Sequence, residues 1–470
     1  MPPSKERTNI NVQAERTVLA AVRLPQSRYD PNDPFGELSE LARQAGGVVV
    51  GTLEQRRDAP EAGTYMGKGK VEELKALCDT LDASVVIFDH ELSPKQISNI
   101  EKIIERKVLD RSELILDIFA GRATTHEAKL QVELAQLEYT YPRLRAMWDH
   151  LERIVGGSPG GVGTRGPGEQ QLEIDRRLVQ KRRQDLQREL ATIQARKRRA
   201  VQGRNLDHFT VGLVGYTNAG KSTLFNTLTS GGAYADDRLF ATLMSRTRQW
   251  DLGGGLSVML SDTVGFVRDL PHNLVASFRA TLEEATHADL LLIVLDVSDP
   301  AAQLHYETVN RTLDDLFEEV EAFEAREHAA ARRDGLPIRP WRPPERLLVL
   351  NKADRLLDNR DVLVWQGRVP GAVPVCALPG GDGLPRIGGV ELAARVRDAA
   401  RGELGVYDIR VPLSDSKTIH TIENRGEVLD RTYEDSGVVL RARIGSRQLD
   451  QLRAAGARMT LAPVAEASAG

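Results

Sequence analysis

The amino-acid sequence predicts a multidomain α/β fold, and three observations predict it. Short apolar runs alternate with helical patterns over the first 120 residues. A seven-residue apolar repeat then runs out and returns across a glycine-rich loop, and a G-x-x-x-x-G-K-S stretch follows an apolar run at 209–214. At 470 residues the chain is long enough for about three domains. Composition and spacing divide it into an α/β domain over 1–125, an antiparallel helical hairpin over 126–200, a larger α/β domain over 205–403 and a β-α-β-β-α domain over 404–470.

In the first domain, 17–22, 47–51 and 84–88 read as strands, with helices at 35–44 and near 98–105, which suggests a small, mainly parallel sheet. Tyr65-Met-Gly-Lys-Gly-Lys70 opens a helix. It lacks the full spacing of a phosphate loop, so a surface turn, an RNA phosphate contact and a second nucleotide site all remain readings of it.

Leu130, Leu137, Leu144 and Leu151 recur every seven residues, with Leu134, Tyr141, Trp148 and Val155 as a second series four residues on. Leu172, Val179, Leu186 and Ile193 form the returning series, with Leu190 beside them. Two such seams separated by a short loop predict a coiled-coil-like hairpin, with a kink expected at Pro142. The alternative is two amphipathic helices packed on a globular core. The loop, 156–168, holds seven glycines and two prolines, so it makes neither helix nor core. It reads as an exposed probe carrying Thr164 and Arg165 at the hairpin tip, or else as a linker. From Arg176 to Arg199 ten Lys/Arg are opposed only by Asp185 and Glu189, so the second arm offers phosphate affinity although the whole chain carries a net charge of −4.

Gly215, Tyr216, Thr217, Asn218, Ala219, Gly220, Lys221, Ser222 and Thr223 stand between a strand and a helix, as a phosphate cradle requires. Glycines turn backbone N–H groups inward, Lys221 reaches the β- and γ-phosphates, and Ser222 ligates Mg²⁺. Downstream, a strand at 257–261 ends at Asp262-Thr-Val-Gly265, where Asp262 suits the metal and Gly265 the γ-phosphate; Thr263 completes that element. Phe240 and Thr242 lie between the two, and Thr242 is the best switch threonine for Mg²⁺ and γ-phosphate. Asn351-Lys352-Ala353-Asp354, after a strand at 346–350, resembles the guanine-reading element of Ras-like GTPases, and Cys376-Ala377 stands where those carry a Ser-Ala loop. These elements in this order predict a Ras-like P-loop GTPase domain. Phe266 occupies the usual water-orienting glutamine position and a phenyl ring cannot hydrogen-bond water, which points to a slow switch that needs a partner. Catalysis is therefore expected from Lys221, Thr242 and Gly265. Asn218 resembles the asparagine by which some GTPases hold a stimulatory K⁺, although asparagine is also a good turn residue.

Taken with 65–70 and Asp262–Phe266, the loop Gly161-Val-Gly-Thr-Arg-Gly-Pro-Gly-Glu169 resembles the HflX family over about 17–460. That resemblance implies a GTPase that binds the large ribosomal subunit and 70S ribosomes, through rRNA and ribosomal proteins, and turns over GTP when they stimulate it. It implies splitting of stalled or hibernating ribosomes under stress or, alternatively, large-subunit assembly and quality control with GTP as a timer. It also sets Gly161, Gly163, Thr164, Arg165, Gly166 and Gly168 against rRNA, and makes Phe266 a family trait. Two departures stand out, Cys376 and a charged, then proline-rich stretch at 318–344 that reads as a mobile surface insertion. An ATP-using RNA remodeller built on 67–70 is a third reading. The small C-terminal α+β domain suits a ribosomal-protein-binding module, and its end, 465–470, is expected to be disordered.

Two cysteines, Cys78 and Cys376, fit a reduced compartment and exclude a disulfide framework. No apolar run approaches a membrane span and the polar N-terminus carries no secretory signal, so a cytoplasmic monomer is expected.

Overall fold

The computed structural model describes residues 15–155, 174, 177–193, 195–196, 208–229, 246–253, 256–268, 284–333, 341–380, 384–434, 437–454 and 456–463, and their side chains apart from those of 142–155, 326–333, 451 and 454. The chain divides into two compact units. The first comprises Met1–Ala195, Arg238–Leu243 and Arg268–Arg279; the second comprises Arg196–Asp237, Met244–Val267 and Ala280–Gly470.

The first unit opens with β1 (Arg16–Arg23), α1 (Gly36–Gln44), β2 (Val48–Arg56), α2 (Lys68–Thr80), β3 (Val85–Phe88), α3 (Pro94–Ile104), β4 (Lys107–Asp110) and α4 (Arg111–Arg122). The strands make one parallel sheet in the order β2-β1-β3-β4. β1 from Thr17 onward and all of β3 are buried, as continuous apolar runs covered by helices on both faces should be. Local signals agree with the fold. Ser93 accepts from Gln96 N and donates its own N–H to Gln96 Oε1 at 2.9 Å, with Pro94 in the first turn of α3, a complete capping box. In the 65–70 stretch Met66 is fully buried and the Gly67 N–H is donated to Gln55 Oε1 at 2.9 Å, so this segment is a packed helix entry. β4 and α4 were not anticipated, because a four-residue Lys-Val-Leu-Asp strand carries too little periodicity.

Helix α5 (His126–Val155) continues through Pro142, and α6 occupies 177–193. Leu130, Leu134, Leu186 and Leu190 form one buried cluster, flanked by Leu137 and Ile193. His126 meets Glu189 at 2.8 Å, Glu138 accepts from Gln187 at 3.2 Å and the Tyr141 ring lies 5.9 Å from the Arg183 guanidinium, so the partner number falls from 189 to 183 as α5 advances. The long Arg182 side chain reaches Glu133 at 2.7 and 2.8 Å. The arms are therefore antiparallel and packed through the leucines of both seams. The tip loop lies outside the described residues.

In the second unit, β5 (Thr210–Gly215), α7 (Lys221–Leu228), β6 (Arg246–Asp251), β7 (Ser257–Asp262), β8 (Leu290–Asp296), α8 (Ala302–Arg333), β9 (Glu345–Asn351), α9 (Arg360–Arg368) and β10 (Val373–Pro374) build a six-stranded sheet and its helices. The strand order is β10-β9-β8-β5-β7-β6, and only β6 runs antiparallel to its neighbour. Gly215, Asp262 and Asn351 each end a parallel strand and so share the carboxyl edge, where open α/β sheets bind ligands. Beyond it lie the β11 (Cys376–Pro379) and β12 (Pro385–Ile387) hairpin and α10 (Gly389–Arg401). The first part of 318–344 is helical: α8 extends through it to Arg333, with Val320 buried. Trp341 then anchors the return by donating to Thr286 O at 3.0 Å.

A second sheet, β14-β15-β13-β16, closes the chain from β13 (Leu404–Pro412), β14 (Glu427–Glu434), β15 (Gly437–Gly445) and β16 (Thr460–Pro463), with α11 (Ser416–Arg425) and α12 (Ser446–Ala454). Its core comprises Ile409, Val411, Ile422, Leu440 and Ile444. The expected β-α-β-β-α order gains β16, whose Thr-Leu-Ala-Pro sequence is too short to read as a strand. Among the described residues no helix is long and apolar enough to cross a membrane.

Candidate functional site

The site grows from the end of β5. Gly220, the residue before α7, stands at φ 92°, and a Cβ there would lie 2.2 Å from Asn351 Nδ2. Glycine thus meets both a backbone and a space requirement. Asn218 takes φ 61°, a left-handed conformation that asparagine tolerates. Lys221 is 6% exposed, and its Nζ donates to Gly215 O at 3.0 Å and Tyr216 O at 2.8 Å. Burial pushes its pKa down to about 8, with the Asp262 carboxylate opposing the shift. The Tyr216 ring stacks on His305 with centroids 3.9 Å apart.

Ser222 Oγ donates to Asp262 Oδ2 at 2.8 Å. A hydroxyl and a carboxylate brought together beside a phosphate loop are hard oxygen donors of the kind Mg²⁺ prefers, so the residues fit that ion. Thr263 is fully buried and donates its hydroxyl to Leu213 O at 2.6 Å, so its side chain braces the sheet.

Gly265 packs directly on the phosphate loop. A Cβ there would lie 2.8 Å from Thr217 Cγ2 and 3.1 Å from Lys221 Nζ. Phe266 N donates to Gly215 O at 3.0 Å, and Phe266 O accepts from Thr217 N at 2.8 Å. Its ring is 2% exposed. Phe266 is therefore a rivet between two loops as well as the occupant of the glutamine position, a role that only a long-range pairing reveals.

Asn351 joins the phosphate side to the base side. Its Nδ2 donates to Ala219 O at 2.7 Å and its Oδ1 accepts from Ala377 N at 3.0 Å, while Thr227 Oγ1 donates to Ala377 O at 2.7 Å. Lys352 Nζ meets Asp296 Oδ2 at 2.7 Å, and Asp354 meets Arg386 at 3.1 Å. Burial and then a hydrogen bond to Asp354 push the Cys376 thiol up, which keeps it protonated. Asp296, Arg386 and Thr227 were missed in the sequence. Only Asp296, at the end of the apolar 290–295 run, left a signal. Phe240, Thr242 and the six tip-loop residues Gly161, Gly163, Thr164, Arg165, Gly166 and Gly168 lie outside the described residues; Thr223 falls in the first turn of α7.

A buried lysine beneath a glycine-bounded loop, a Ser–Asp oxygen pair and an asparagine stapling that loop to a base-side loop define a P-loop GTPase. Residues 32–120 match the GTP-binding GTPase N-terminal model, 122–204 the GTP-binding GTPase middle region and 210–328 the 50S ribosome-binding GTPase model. The protein called GTPase HflX of Caldanaerobacter subterraneus subsp. tengcongensis is 37% identical over 93% of both chains. That of Escherichia coli is 41% identical over 85% of this chain and 86% of its own. The chain belongs to the HflX family of GTPases, and it hydrolyses GTP. A GTP-binding protein from Sulfolobus solfataricus, solved with GDP, is 23% identical with a TM-score of 0.38, over 82% of this chain and 98% of that one.

Proposed function

We propose that this GTPase works on the ribosome: it binds the large subunit and splits stalled or hibernating 70S particles under stress, in the cytoplasm, with turnover stimulated by the particle. The observation that carries the reading is the antiparallel hairpin, clamped at its base by Leu130, Leu134, Leu186 and Leu190, whose second arm exposes Lys181, Arg182 and Arg188. A stiff arm with a basic face suits a phosphate-rich RNA surface. The 50S ribosome-binding description of the family matched by 210–328 points the same way.

At the nucleotide, Lys221 takes the β- and γ-phosphates, Gly265 offers its N–H to the γ-phosphate and Asp354 reads guanine. Ser222, Asp262 and Thr242 would hold Mg²⁺, which supplies charge neutralisation between the phosphates. Gly161–Gly168 would lie against rRNA. Phe266 cannot orient the attacking water, and both its backbone groups are committed to the phosphate loop. Fast hydrolysis therefore needs a group supplied by the partner.

The test is GTP turnover with no addition, with 70S ribosomes and with large subunits, in potassium and in sodium buffers, paired with sedimentation. Stimulation together with 70S splitting supports the reading. Preference for large-subunit precursors without splitting replaces it with an assembly role. No stimulation by either particle removes it. A potassium-only rate assigns Asn218 as a cation ligand, and equal rates leave it a turn residue.

A further inference from the structure

Base selectivity in this site falls to one carboxylate, that of Asp354, in the short 3₁₀ turn Ala353–Arg355 just beyond β9. The β11–β12 hairpin rises directly from the base-side loop, in the same compact unit. Cys376 opens β11 and pairs across the ladder with Ile387 of β12, so Arg386, the residue before Ile387, stands beside the loop. Arg386 Nη2 donates to Asp354 Oδ2 at 3.1 Å, and the Cys376 thiol donates to the same carboxylate. The hairpin thus meets Asp354 with a donor from each of its strands. The Asp354 side chain keeps 22% exposure and that of Arg386 54%, so a ligand can still reach the carboxylate.

An ionised carboxylate offers about four lone-pair sites. Arg386 and Cys376 occupy two of them, which leaves about two. Guanine presents two donors along one edge, N1–H and the 2-amino group. Hypoxanthine presents N1–H alone, and adenine has a bare acceptor at N1. The torsion that orients a free carboxylate is soft, so two donors fixed on a ring are met together only if something else sets that rotation. We propose that Arg386 is a positioning residue for base recognition: with Cys376 it fixes the Asp354 carboxylate so that both remaining acceptor sites face guanine, which sharpens the preference for guanine over a base with one donor on that edge. A half-exposed ion pair contributes little to the fold, so its effect belongs to selectivity and not to stability. This inference rests on the reading of Asp354 as the guanine contact.

Affinities of ribose-labelled fluorescent GDP, inosine diphosphate and xanthosine diphosphate, measured on the full chain, test it. Arg386→Ala should weaken GDP about fivefold and inosine diphosphate less than about twofold, because the latter has no second donor to misalign. Arg386 makes its contact through one nitrogen, so the point charge of Arg386→Lys should keep the ratio of GDP to inosine diphosphate affinity within about twofold of wild type. Loss of the hairpin's shape alone would weaken both nucleotides by the same factor. That result overturns the proposal, as does an unchanged ratio in Arg386→Ala, or a ratio in Arg386→Lys as low as in Arg386→Ala. Asp354→Asn, whose amide suits the 2-oxo group of xanthine, separates the proposal from its premise. If it leaves GDP binding intact, Asp354 is not the guanine contact and both fall. If it moves the preference to xanthosine diphosphate while Arg386→Ala keeps the ratio, only the role of Arg386 falls.

Discussion

Asn351→Ala tests whether one side chain orders both halves of the nucleotide site. The residue is 1% exposed and its side chain makes two hydrogen bonds, to Ala219 O on the phosphate loop and from Ala377 N on the base-side loop. Both partners are backbone groups of buried residues, at 2% and 5% exposure, so water does not readily replace the lost contacts. Leaving a buried donor or acceptor without its partner costs about 1–3 kcal/mol each. Allowing for partial relaxation, the pair comes to about 2–4 kcal/mol. If nucleotide binding must re-order both loops, that becomes a loss of roughly 30- to 700-fold in affinity, at about 1.4 kcal/mol per factor of ten. Fluorescence titration with labelled GDP reads the affinity directly, and thermal unfolding of the unliganded chain reports how much of the loss falls on the fold. The reasoning fails if the variant binds GDP within threefold of wild type while remaining folded. In that case the two loops are ordered independently and the staple is incidental.

Gly265→Ala places a methyl 2.8 Å from Thr217 Cγ2 and 3.1 Å from Lys221 Nζ, so GTP turnover should fall more than about tenfold while GDP affinity holds; unchanged turnover refutes this. For Lys221, with a folded pKa of about 8 against an ordinary 10.5, the unliganded fold binds fewer protons than the unfolded chain between those values, and its stability should rise with pH across that window. Phosphate restores the charge, so near pH 8 nucleotide binding should take up roughly half a proton. Calorimetry in buffers of different ionisation enthalpy measures this, and an equal uptake by Lys221→Met would refute the assignment. Leu186→Ala removes a fully buried seam residue and should cost the hairpin about 2–5 kcal/mol, seen as protease cleavage within 177–193 at undiminished GDP affinity. Resistance equal to wild type would mean that the seam is not what holds the arms.

The phosphate loop was legible because its demands are local: a glycine where φ is positive, then a lysine and a serine that open a helix, all within eight residues. The hairpin was legible because a seven-residue period survives over nearly four heptads, and Leu130 and Leu186 meet where that period places them. β4 and β16, four residues each, lie below the length at which a pattern can be told from chance. Glu318 onward looked like an insertion because its composition is charged, whereas α8 needs only one buried stripe, marked by Leu316 and Val320, to stay helical. The role of Phe266 was beyond reach for another reason. Its partners, Gly215 and Thr217, are set by tertiary structure about fifty positions away, and a phenylalanine does not advertise such a pairing.

Helix α5 is 30 residues, about 45 Å at 1.5 Å per residue, and among the described side chains its leucine cluster lies in the first half, from Leu130 to Leu137. Mechanically those leucines are a fulcrum near one end of a long lever. A rotation of about 5° at Leu134, a matter of sub-ångström repacking, would sweep Val155, about 32 Å further along the helix, through about 3 Å. Cavity-making or cavity-filling substitutions at Leu130, Leu134, Leu186 and Leu190 are thus a way to re-aim this beam without touching any residue it carries.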